Sequence, residues 1–213
     1  MGCDIHVMTE KKRTWSDGTI QWVNIDNWQF NEYYDKYNDE GEREFNVKSI
    51  FRDRNYELFA FLAGVRNYGG NECFGFDRGF PEDACRITKK EYDSWDSDAH
   101  TPGYCTLKEL KEAVKGVQKI RREGAVTKEQ ADRYRETGET PDSWAQGIGF
   151  YFGIAPEYQD RFEWMVWEDE VSCFDRLLQA IEQRKVDEFY WGHADRDDGS
   201  EDDNIRIVFW FDN

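Results

Sequence analysis

Ile205, Ile207, Phe209 and Phe211 recur at every second position near the end of the chain, the period of a strand with one apolar face. A strand so placed is stable only when paired, because its backbone N–H and C=O groups otherwise leave water without gaining partners. The start of the chain offers that pairing. From Gly2 to Met8, Cys3, Ile5 and Val7 fall on one face and Asp4, His6 and Met8 on the other. The expected class is α+β: a mostly antiparallel sheet containing both terminal strands, about four helices packed against it, and long loops at one end.

Local signals fill in the order. Ser16-Asp17-Gly18-Thr19 carries Asp-Gly turn chemistry and predicts a hairpin into Ile20 to Ile25. Trp28 to Phe45 is aromatic and acidic without a clear period and reads as irregular or partly helical. Leu58, Phe59, Leu62 and Val65 have helical spacing and predict a helix over Phe51 to Arg66, followed by a glycine-rich loop from Asn67 to Asp83. Thr106-Leu107-Lys108-Glu109 is a capping box, and the helix it opens is expected to run to about Arg122. Thr127-Lys128-Glu129-Gln130 repeats the signal, and Ser172-Cys173-Phe174-Asp175 gives a looser version before Leu177 and Ile181. Residues 1–213 read as a single domain, with 106–140 a candidate helical insertion. Gly147 to Ile154 reads as a loop or bent strand, and Asp195 to Asp203 as a solvated acidic turn without the ligand order of a calcium loop.

Composition narrows the partners. Aromatic residues are 16% of the chain, including 9 Trp, which argues for a folded core despite a mean hydropathy of −0.93. A net charge of −17 disfavours direct nucleic acid or anionic membrane contact and suits basic protein partners. No stretch has the apolar length of a membrane span, and no charged region followed by an apolar run opens the chain. The 5 cysteines lack CxxC spacing, so reduced thiols in a cytosol are expected, and Cys73, Cys85 and Cys105 do not match zinc-ligand knuckles.

Every one of the 3 histidines sits two residues from an aspartate: Asp4 and His6, Asp98 and His100, His193 and Asp195. In a strand such a pair shares a face, so carboxylate and imidazole could form an acid/base dyad or hold a divalent metal. Asp4, His6, Asp98 and His100 are therefore the candidate catalytic residues. Arg52, Arg54 and Asn55 at the entry of the first expected helix, Arg66 and Asn67 at its exit, and Arg78 in the following loop are the candidate ligand-binding residues. The planar guanidinium suits phosphate or carboxylate, and a helix N-terminus adds partial positive charge. Asp-x-His also opens the metallophosphoesterase signature, but the later Gly-Asp, Gly-Asn-His and Gly-His-x-His elements are missing.

Gly2-Cys3-Asp4-Ile5-His6, Arg54-Asn55-Tyr56 with Leu58-Phe59, Val65-Arg66-Asn67, Arg78-Gly79-Phe80-Pro81-Glu82-Asp83, Asp98-Ala99-His100 with Thr106-Leu107, and the closing Arg206 to Asn213 together resemble a family of phage-encoded accessory proteins. That family carries no settled activity. The resemblance implies an accessory viral protein in the cytoplasm of an infected bacterial host, made for host takeover or evasion of host defence. The charged stretch from Lys111 to Thr140 departs from the family pattern.

Two functional readings follow. In the first, a polar pocket binds, sequesters or cleaves a phosphorylated small molecule or nucleotide, with the Asp–His pairs as acid/base or metal groups and the arginines neutralising phosphate. In the second, an acidic surface mimics nucleic acid and binds a host defence protein, with the Asp195 to Asp203 tract contributing. The Asp–His pairs favour the first.

Overall fold

The computed structural model describes residues 2–31, 45–145, 156–190 and 202–212. The fold is α+β and is organised by a four-stranded sheet, order β2-β1-β8-β5, in which both terminal strands are neighbours. β1 (Ile5–Thr14) turns through the Asp17-Gly18 hairpin into β2 (Ile20–Asn24). β3 (Asn27–Phe30) and β4 (Phe45–Lys48) pair separately. The ends of the segment expected to be irregular or partly helical are thus strands, and 32–44 lie outside the described residues. After β4 come α1 (Tyr56–Ala63), α2 (Arg86–Asp93), β5 (His100–Thr106), α3 (Leu107–Gly116), β6 (Lys119–Thr127), α4 (Lys128–Thr137), β7 (Phe162–Glu170), α5 (Asp175–Tyr190) and β8 (Ile205–Phe211).

β1 and β8 run antiparallel with Ile5 opposite Phe211 and Thr9 opposite Ile207. That register puts Ile5 and Val7 on the same face as Ile207, Phe209 and Phe211, where they meet Leu58, Phe59 and Leu62 of α1, Leu107 and Leu110 of α3, and Leu177 and Ile181 of α5. β8 is buried at all seven positions, since β1 and β5 flank it and both faces are covered. Its second face carries Arg206, Val208 and Trp210, which are buried as well.

Several boundaries differ from the sequence expectation. α1 starts at Tyr56 rather than Phe51, because the Asn55 side chain accepts from the N–H groups of Glu57 and Leu58 as a cap. It stops at Gly64, which takes the left-handed conformation at φ 69°. The helix opened at Thr106 has its capping box but ends at Gly116, and the residues from Lys119 onward pair with β7 instead of continuing to Arg122. Pairing wins there because Ile120 reaches the main core while Val126 packs with Met165 and Trp167 in a second small cluster. The segment 106–140 is therefore mixed helix and strand. Arg122 ties β6 back to α1, bonding Glu57 at 2.5 and 3.0 Å and also pairing with Asp169. α2 was not expected; its cap is Cys85, whose sulfur accepts weakly from Thr88 N–H at 3.5 Å.

The segment around α2 forms the layer on the second face of the sheet. Phe80 stacks on Tyr92 at 4.4 Å, and Tyr92 meets Trp210 edge-on at 5.4 Å. The sheet is thus covered by α1, α3 and α5 on one side and by α2 with its flanking turns on the other.

Candidate functional site

His6 and Trp210 are cross-strand partners on β1 and β8, and their rings stack with centroids 5.6 Å apart at 18°. Trp95, in the turn after α2, closes on His6 at 3.9 Å. Pairing of the two chain ends continues past β8. Asp212 N–H donates to the Asp4 carbonyl at 3.2 Å, and Asp4 N–H donates to Asp212 Oδ1 at 2.9 Å. The Asp212 carboxylate is thereby anchored with Oδ2 3.2 Å from His6 Nε2. An ionised carboxylate only accepts, so this contact uses Nε2–H, and in the neutral ring the lone pair is then on Nδ1. That nitrogen makes no hydrogen bond to a described residue. An imidazole oriented by a carboxylate through one nitrogen and open at the other can accept a proton.

Asp4 has a different partner. Arg54 donates to both of its carboxylate oxygens, Nε to Oδ1 and Nη2 to Oδ2, each at 2.7 Å. The guanidinium holds the Asp4 carboxyl below the usual carboxylate range. It packs on the backbone of Gly2, where a Cβ would lie 2.6 Å from Nη1 and would shift the end of the arginine side chain. The imidazole–carboxylate dyad is therefore His6 with Asp212, across the sheet, and Asp4 beside it completes an ion pair.

These groups line a cavity of about 580 Å³ that also includes Arg52, Asp53 and Glu91. Its carboxylates are engaged: Asp4 by Arg54, Asp53 by Arg176 at 2.8 Å, Asp212 by His6, and Glu91 also has a partner. Arg52 makes no hydrogen bond or ion pair with a described residue. Among the described residues, no group of three His, Cys, Asp or Glu side chains is placed to hold a metal ion, so the divalent metal considered from sequence finds no ligand set there.

The remaining sequence candidates lie elsewhere. Asp98 is exposed at the end of a 3-10 turn, its N–H donating to the Trp95 carbonyl. His100 starts β5 and stacks on Phe211 at 5.9 Å, with Nδ1 at 2.9 Å from Thr101 Oγ1. Phe211 belongs to the main core face, so His100 is across the sheet from His6, and the two pairs are not joined into one site. Asn55 caps α1, and Asn67 closes the following loop by donating to the Asn71 carbonyl at 2.7 Å and accepting its N–H at 2.8 Å. Arg66, at φ 53°, bonds Cys3 and Tyr68. Arg78 pairs with Glu109 at 3.0 Å and lies over Tyr104. His193 and Asp195 fall outside the described residues, as does most of the acidic tract. Of that tract, Asp202 and Asp203 bond Lys111 and Lys108 at 2.8 and 2.9 Å, so its described end is engaged within the chain. All five cysteines are free thiols.

Asp212, Trp95 and Trp210 were not singled out from sequence. Asp212 could have been found: once both terminal strands are paired antiparallel in alternation, the residue after Phe211 comes opposite Asp4. Trp95 had no such signal, since its place depends on α2. No protein family, curated protein or solved structure matches this chain. None of the helices among the described residues is long and apolar enough to cross a membrane.

Proposed function

We propose that the cavity at the paired chain ends binds a phosphorylated small molecule or nucleotide, with Arg52 as the phosphate contact and the His6–Asp212 dyad as the group that exchanges a proton with the bound ligand. The observation that carries this reading is the state of Arg52. Every other charged group lining the cavity has a protein partner, so the one uncommitted charge among the described residues that line it is a guanidinium, whose fork suits phosphate oxygens. Trp95 and Trp210 both pack against the imidazole, which restrains the direction of Nδ1. A cavity of about 580 Å³ is in the size range of small-molecule sites.

The resemblance to phage-encoded accessory proteins supplies the biological setting of the proposal: a counter-defence protein in the cytoplasm of the infected bacterial host, acting on a phosphorylated signal. Binding without turnover makes it a sequestering protein; proton transfer from ligand or water through His6 makes it a hydrolase. The test is calorimetric titration with a panel of nucleoside phosphates, with product analysis, on wild type, R52A and H6Q. R52A should weaken binding by about tenfold or more, the loss of a charge-assisted bond. H6Q should keep binding, and should abolish turnover if turnover exists. Unchanged binding in R52A would overturn the assignment of the phosphate contact.

A further inference from the structure

We infer that the cleft at the N-terminal end of α2 is a second ligand site, for a small molecule that carries phosphate and a flat ring. The cleft has a volume of about 820 Å³, lies on the same sheet face as the His6 cavity, and is lined by Lys12, Trp22, Arg86, Tyr104 and Arg206. α2 separates the two: its first residues line this cleft, while Glu91 near its other end lines the first cavity.

The cations of this cleft are of two kinds. Arg206 is buried, its side chain 4% exposed, and holds the floor of the cleft together. Its Nε donates to the fully buried Glu10 at 2.8 Å and its Nη1 to Asp83 at 2.7 Å, while its plane covers Trp22 at 4.0 Å. Its Nη2 lies 2.7 Å from Glu10 Oε2 as an ion pair but without hydrogen-bond geometry, leaving an N–H donor unsatisfied. Asp83 also accepts from Trp22 Nε1 at 2.9 Å, and Glu10 from Cys85 N–H at 2.9 Å, so both carboxylates are engaged by the floor. Lys12 Nζ and the Arg86 guanidinium, by contrast, form no hydrogen bond or ion pair with a described residue, nor do the N–H groups of Arg86 and Ile87 at the start of α2. Two cations without an ion-pair partner among the described residues, two open helix N–H groups and an aromatic wall therefore converge on one cleft in a chain of net charge −17. Phosphate satisfies the cations and the helix end together, and Trp22 and Tyr104 offer apolar surface to a ring.

The site stands independently of the His6 cavity, and the experiment separates them. ATP, AMP and inorganic pyrophosphate are titrated, without divalent metal, into wild type, the K12A/R86A double variant and R52A, with binding read by calorimetry and stoichiometry by native mass spectrometry. Both altered side chains of the double variant are exposed, and circular dichroism checks its fold. The expected result is binding that K12A/R86A weakens by about tenfold or more and R52A leaves in place at this site. Tighter binding of ATP or AMP than of pyrophosphate supports the ring contact; equal binding of all three removes it. Binding unaffected by K12A/R86A, or no binding of any of the three probes, overturns the second site. A single equivalent lost in R52A alone overturns it while leaving the proposed function intact, and the reverse pattern does the opposite.

Discussion

Asp26 offers a quantitative test of the packing between β1 and the start of β3. It is 2% exposed, accepts from Thr9 N–H at 2.9 Å and from Asn24 Nδ2 at 2.7 Å through Oδ2, and leaves Oδ1 buried without a partner. Burial pushes its carboxyl up from 3.8 to about 6, against the lowering effect of those bonds and of the Arg184 charge. A carboxyl raised on folding means that the native state binds the extra proton, so stability falls as pH rises from about 4 to about 6. At 1.36 kcal/mol per pKa unit the difference is about 3 kcal/mol. Asp26→Asn keeps the shape and an acceptor for Thr9 but carries no charge to desolvate. In urea unfolding from pH 4 to pH 8, its stability relative to wild type should start near or below zero and climb to about +3 kcal/mol by neutral pH. A difference curve that stays flat through that window would refute the reasoning, showing either that water reaches Oδ1 or that Arg184 compensates the charge in full.

Other perturbations test separate parts of the fold. Glu10→Ala leaves the Arg206 guanidinium buried without its main counter-charge and should lower stability by about 3–5 kcal/mol in denaturant titration. Asp4→Ala, at a bidentate pair that is 55% and 45% exposed, should lower it by less than about 1 kcal/mol. Gly103→Ala puts a Cβ 2.2 Å from the Phe76 carbonyl oxygen and 2.6 Å from the Phe209 ring; overpacking of about 1–3 kcal/mol or more should appear as a lower unfolding midpoint. Limited alkylation followed by mass spectrometry should label Cys73 before Cys3, Cys105 and Cys173, which are buried and whose thiols burial pushes up, Cys173 to about 12.

Much of the fold was legible locally. The hairpin at Asp17-Gly18 and the caps at Thr106 and Thr127 are short-range chemistry, in which a side chain bonds backbone groups a few residues away. Where the reading failed, distant partners decided: Lys119 to Arg122 became strand because β7 pairs with them, and α2 formed over an aromatic face that exists only once Trp210 is in place. The site divides in the same way. His6 and the neighbouring arginines were visible, but Asp4 shares only a face with His6, while the carboxylate that holds the imidazole comes from Asp212 at the other end of the chain.

The alternation of apolar residues at the two ends determined that they belong to strands, and the need to satisfy backbone groups made their union in one sheet the economical arrangement. Aromatic content argued that an acidic chain would still fold around a core. Which charges remain available to a ligand was decided only in three dimensions. Ion pairing depends on distances between residues far apart in sequence, and it engages Arg54, Arg78 and Arg206 while leaving Lys12, Arg52 and Arg86 without an ion-pair partner among the described residues.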